Sequence, residues 1–139
     1  MTRLPDWHSR FVTFIDTMRY VPFEWGKTDC GPAWAGGVVE VLTGKPNPAA
    51  DYIGTYKTRA GAIRKMKEAG FENLKDAVAS FLGEPVHPST GFTGDIAVVR
   101  DTSPLGYSLG IVNRDRIFFR RPDGIGTIDL LEAEAVFKI

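Results

Sequence analysis

The hydrophobic period of this 139-residue chain changes once, and that change limits the fold more than any other feature. Ahead of Gly83 the apolar side chains recur at helical spacing. Beyond Asp95 they come in short β-rich runs separated by turn residues. Trp7, Phe11, Phe14, Ile15 and Met18 share one face of a helix expected from Asp6 to Tyr20, with Asp6 as its cap and Pro22 as its stop. A second helix is expected from Thr28 or Asp29 to Leu42, with Pro32 in its first turn and Gly44 at its exit. Gly36 and Gly37 inside it require something packed closely on the backbone. Asn47 to Tyr56 reads as loop. Two more helices follow, Thr58 to Ala69 and Asn73 to Leu82. Strands are expected at Ile96 to Arg100, Leu109 to Asn113, Ile117 to Arg120, Thr127 to Leu130 and Val136 to Ile139, with a turn at Pro122-Asp123-Gly124. Helices first and strands afterwards predict an α+β domain, its N-terminal helices packed on a mostly antiparallel C-terminal sheet.

The length fits one domain over residues 1–139, and 43% hydrophobic residues supply one core. Seventeen basic and seventeen acidic residues cancel, which argues against nucleic acid or an acidic membrane as partner. No apolar run approaches the ~20 residues of a membrane span, and none has the layout of a signal peptide. One cysteine, Cys30, excludes an internal disulfide. With only His8 and His87 beside it, no metal set is expected from one chain, and no cofactor is implied; a site shared with another chain is the remaining metal reading. Lys57, Arg59, Arg64, Lys65 and Lys67 read as a solvated helix face, since Glu68 interrupts them. Trp25 and Trp34 are expected in the core, with a ligand groove as the alternative. Phe118 and Phe119 are neighbours in a strand and point to opposite faces, so one of them needs a partner or a second layer to cover it.

The chemical hotspot is Cys30, placed at a helix start behind a glycine loop. Unpaired N–H groups at such an end favour a thiolate, whereas the carboxylate of Asp29 opposes it. Asp29 itself is expected as the helix cap. The run Phe23-Glu24-Trp25-Gly26-Lys27-Thr28-Asp29-Cys30 resembles the nucleophile segment of NlpC-type papain-like cysteine peptidases. Gly94-Asp95-Ile96-Ala97-Val98-Val99 and Ser108-Leu109-Gly110-Ile111-Val112 are similar to that family's Gly-Asp strand and His-x-Gly-Ile strand, in the same order. The whole chain is similar to a group of phage and prophage proteins encoded among tail genes, through its Trp-Gly-x-x-Asp-Cys turn, the segment Tyr56 to Gly61 and the hairpin near Pro122.

The resemblance implies a papain-like fold with Cys30 as candidate nucleophile and Trp25, Phe23 and Asp29 around the substrate. It also exposes departures. Ser108 stands where the family carries its catalytic histidine, and a serine hydroxyl has no useful basicity at neutral pH. About a dozen residues further on, where a group orienting the imidazole is needed, the chain reads Phe118-Phe119-Arg120-Arg121. Phe23 replaces a tyrosine near the oxyanion site. His87, in a Pro-flanked loop, is the first outside candidate for a base, and His8 the second. The implied function is therefore a structural component of a phage tail tip or baseplate with a degenerate peptidase fold, assembled in the bacterial cytoplasm and bound to tail-hub proteins. The alternative is an active cysteine peptidase or amidase that cleaves peptidoglycan stem peptides.

Overall fold

The computed structural model describes residues 2–139. Four α-helices precede a five-stranded sheet: α1 (Trp7–Arg19), α2 (Gly36–Thr43), α3 (Arg59–Glu68), α4 (Leu74–Leu82), then β1 (Ile96–Arg100), β2 (Tyr107–Asn113), β3 (Arg116–Arg121), β4 (Gly124–Asp129) and β5 (Ala135–Phe137). The strands lie in the order β4-β3-β2-β1-β5 with every pairing antiparallel, the expected α+β layout. The expected cap of α1 does not form. Asp6 precedes α1 without bonding its amides, because its carboxylate pairs with Arg10 at 2.9 Å. Thr58 and Asn73 do cap, accepting from the amides of Gly61 and Asp76. Strand ends also move. β2 begins at Tyr107, two residues before the hydrophobic run, because its early residues pair with β1. β4 starts at Gly124, since pairing of Arg121 with Gly124 leaves Pro122-Asp123 as a two-residue hairpin loop. β5 ends at Phe137, because the amide of Ile139 is drawn to the Asp95 carboxylate.

α1, α2 and α4 cover one face of the sheet. Phe11, Ile15, Trp34, Val38 and Leu42 meet Ile96, Val98, Leu109, Ile111 and Phe137 there, in a core from which water is excluded. Trp34 belongs to this core, fully buried, with its indole N–H donating to the Phe118 carbonyl at 3.1 Å. The opposite face carries a smaller cluster of Ala97, Val112, Ile117, Phe119, Leu130 and Val136. Phe118 packs on the first cluster and Phe119 in the second, so the segment between β4 and β5 covers the residue for which a partner had been expected. No helix among the described residues is long and apolar enough to cross a membrane.

Asp95 anchors the entrance of β1. Fully buried, its carboxylate accepts from Arg3 (3.0 Å), Lys138 (2.5 Å), and the amides of Phe92 (2.8 Å) and Ile139 (3.0 Å). Arg3 also donates to the Ile139 and Thr93 carbonyls and lies over the Trp7 ring. This cluster fastens segments near the two ends of the chain to the entrance of β1.

Candidate functional site

The loop leading to Cys30 is shaped by a close backbone approach. Gly26 has φ +83°, and a Cβ there would stand 1.8 Å from the Tyr56 carbonyl oxygen, so only glycine fits. The Gly54 amide donates to the Gly26 carbonyl at 2.8 Å and joins the two loops. From the sheet side, Arg120 reaches in from β3. Its guanidinium donates to the carbonyls of Thr28 (3.1 Å), Met18 (2.8 Å) and Val21, and the residue is 5% exposed.

Cys30 opens a widened helical turn, Cys30–Ala35, in which the Trp34 amide reaches back five residues to the Asp29 carbonyl at 3.1 Å. Pro32 brings no N–H to this turn, and Asn47 Nδ2 donates to the Pro32 carbonyl at 2.7 Å. Asn47 gets that close because Gly36 has no side chain: a Cβ would meet its Oδ1 at 2.2 Å. Gly37 likewise faces the Phe14 ring, so both glycines answer the packing requirement read from the sequence.

Asp29 stands at the cap position, yet its side chain bonds no helix amide. The carboxylate turns back into the loop, where Oδ2 accepts from the Gly26 amide (3.1 Å) and the Tyr56 hydroxyl (2.5 Å). Asp29 is 1% exposed, and its Oδ1 has no hydrogen-bond partner. Burial, reinforced by the bond to Asp29, pushes the Tyr56 hydroxyl above its ordinary range, so Tyr56 keeps its proton and donates it to Asp29. At Cys30 the helix-end effect is present but outweighed. Burial, and then the Asp29 charge, push its thiol up to about 12, against opposing hydrogen bonds from its own amide and that of Leu109. At neutral pH the sulfur is therefore a thiol.

The β2–β3 ladder stops at the pair Gly110–Phe119, while β2 runs on to Tyr107 beside β1 and β3 runs on to Arg121 beside β4. Cys30 stands against this parting of the strands, between two cavities. One, of about 130 Å³, is almost wholly apolar and is lined by Trp25, Asp29 and Tyr56 together with residues of α3 and α4. The other, of about 160 Å³, is lined by Cys30, Val99, Ser108, Leu109, Phe119, Arg120, Arg121 and Ile128.

Ser108 thus shares a cavity with Cys30, and its hydroxyl donates to Asp101 at 2.8 Å. His87 is not brought there. It is exposed, its Nδ1 bonds Ser89, and its neighbour Val86 bridges to β5 at the far edge of the sheet. His8 is exposed on α1 beside Trp7. Trp25 lines the apolar cavity, whereas Phe23 packs edge-on to Trp25 at 5.2 Å and lines neither. Tyr56 and Asp101 belong to the site without having been singled out as site residues. The signal for Tyr56 was the segment Tyr56 to Gly61, whose Thr58 caps α3 while Gly61 leaves room for the Tyr56 Cβ. Among the described residues no group of three or more Cys, His, Asp or Glu side chains is placed to hold a metal.

No curated protein and no solved structure matches the chain. A family model described as a domain of unknown function, DUF6950, matches residues 2–139, and the chain belongs to that family.

Proposed function

We propose that the chain is a non-hydrolytic member of the NlpC-type papain-like class and serves as a structural component of a phage tail tip or baseplate. The observation that carries the catalytic half is the surroundings of Cys30. Peptide hydrolysis by a cysteine needs a thiolate and an imidazole that protonates the leaving amine. Here the thiol is held at about 12, and the side chain sharing its cavity from β2 is a serine hydroxyl bonded to Asp101. Arg120, one of the residues where an orienting group would stand, holds three backbone carbonyls of the preceding segment. The Ser108 hydroxyl and the Arg120 guanidinium are thus spent on bonds within the chain.

The tail assignment is supported by the ordered motifs shared with tail-gene proteins, from Trp25-Gly26 through Asp29-Cys30 to the hairpin at Pro122. Two experiments test the halves separately. Purified peptidoglycan is incubated with wild type and Cys30→Ala from pH 5 to 8, and soluble peptides are measured; no release by either folded protein is expected. Release by wild type that disappears in the alanine variant establishes the peptidase reading instead. For the assembly half, tail particles from the encoding phage or prophage are expected to contain the chain at fixed stoichiometry, and its absence from them defeats the assignment.

A further inference from the structure

The cavity on the sheet side of Cys30 has the chemistry of a recognition site, and this holds whether or not the chain hydrolyses anything or belongs to a particle. Its wall is mixed. Val99, Leu109, Phe119 and Ile128 provide apolar surface, and about 160 Å³ is the size class that accepts one small ring or a branched alkyl group. Beside the Cys30 thiol, three polar side chains break that surface, Ser108, Arg120 and Arg121, and two of them have capacity left over.

Arg121 is the first. Its side chain makes no ion pair or hydrogen bond among the described residues, in contrast to the adjacent Arg120, whose donors are taken by three carbonyls. The residue is exposed, and its guanidinium lies over the Phe119 ring at 5.8 Å and alongside Gly126, where an added Cβ would stand 2.9 Å from Cζ. An arginine guided by these contacts, with its planar fork uncommitted, is suited to pair bidentately with a carboxylate. Ser108 is the second. Its single proton goes to Asp101, so its oxygen is left with acceptor capacity for a ligand donor. Asp101 does not compete for Arg121: its Oδ2 holds Ser108, and its Oδ1 holds the amide and hydroxyl of Ser103.

A ligand matching all three features carries a carboxylate, an N–H donor and a small apolar body. We propose that this cavity binds the free C-terminal residue of a peptide chain with an aliphatic side chain. The carboxylate sits on Arg121, the amide N–H donates to Ser108 Oγ, and the side chain lies among Val99, Phe119 and Ile128.

N-acetyl-L-leucine is the minimal probe, titrated into ¹⁵N-labelled full chain and followed by amide shifts. Saturable perturbations centred on Ser108, Leu109 and Arg121 are expected. N-acetyl-L-leucine amide, which lacks the carboxylate, is expected to bind about tenfold more weakly or worse, and Arg121→Gln to lose the acid to the same degree. Arg121→Lys, with charge but no fork, should fall between. 4-Methylpentanoate lacks the N–H, so it is expected to bind wild type more weakly than the acetylated acid and to match it in Ser108→Ala. Arg121 and Ser108 are not core residues, so these variants are expected to keep the wild-type fold, which the spectra themselves report. Equal binding of acid and amide, unchanged binding by Arg121→Gln, or no saturable binding of the acid to wild type overturns the proposal.

Discussion

Tyr56→Phe removes one oxygen atom and tests the whole account of the Asp29 loop. The Tyr56 hydroxyl donates to Asp29 Oδ2 at 2.5 Å, and Asp29 is 1% exposed. Its Oδ1 already lacks a partner, so after the substitution the carboxylate keeps only the Gly26 amide at 3.1 Å. A hydrogen bond to a charged group contributes about 1.5–3 kcal/mol net, and a donor taken from a buried carboxylate belongs at the upper end of that range. The expected loss is therefore about 2–3 kcal/mol, a large part of the ~5–15 kcal/mol that holds a domain together. Urea unfolding at pH 7, followed by tryptophan fluorescence, measures it as a lower midpoint at unchanged slope. The alkaline limb gives a second reading. A tyrosine whose folded pKa is raised contributes stability that is complete below its unfolded value of about 10 and is lost as pH rises further. Wild type should therefore lose more stability above pH 10 than the phenylalanine variant. A change below about 0.5 kcal/mol at pH 7, with parallel alkaline limbs, would falsify the claim that this bond holds the loop.

Gly26→Ala forces a side chain against the Tyr56 carbonyl at a positive φ, so a loss of at least about 2 kcal/mol is expected in the same urea assay. Asp95→Asn removes the buried counter-charge of Arg3 and Lys138, whose side chains are 12% and 45% exposed, and should cost about 2–3 kcal/mol by thermal or urea unfolding. Glu134 is bonded by Lys75, Tyr107 and Arg100, which hold its carboxyl down to about 2. Its stabilisation is complete above the ordinary glutamate pKa and lost as pH falls toward about 2, so Glu134→Gln should flatten the acid limb of stability over that window. Cys30 should react slowly with iodoacetamide at pH 8, and Asp29→Asn should speed the reaction by removing the charge that helps keep the sulfur protonated.

Helix positions, strand runs and the hairpin at Pro122 were legible because each follows from periodicity or turn chemistry within a few residues of chain. The placement of Cys30 beside Ser108 came from the order of motifs, and the two do line one cavity. What escaped were contacts between distant segments competing for the same polar group. Asp29 has the side chain and the position of a helix cap, and nothing local says that Tyr56 and Gly26 will draw its carboxylate the other way. The balance at Cys30 escaped for the same reason: a helix-end argument counts nearby amides, while burial of the sulfur is a property of the assembled fold. Arg120 shows in the sequence only as part of the run that lacks an imidazole-orienting group, and the packing of β3 against the loop ahead of Cys30 turns it into a staple.

The Asp95 cluster has a consequence for the order in which the chain folds. Arg3 and Ile139 are separated by 136 positions, whereas β2 and β3 meet through the turn between Asn113 and Arg116. Closing so long a loop from an open chain costs roughly 2–3 kcal/mol more entropy than closing a hairpin, so the hairpins come together first and the cluster closes late. Bonds formed after the transition state barely affect the folding rate, and their stabilisation is expressed in slower unfolding. Arg3, Lys138 and Asp95 thus act as a latch on lifetime: weakening them should steepen spontaneous opening while the rate of refolding stays nearly constant.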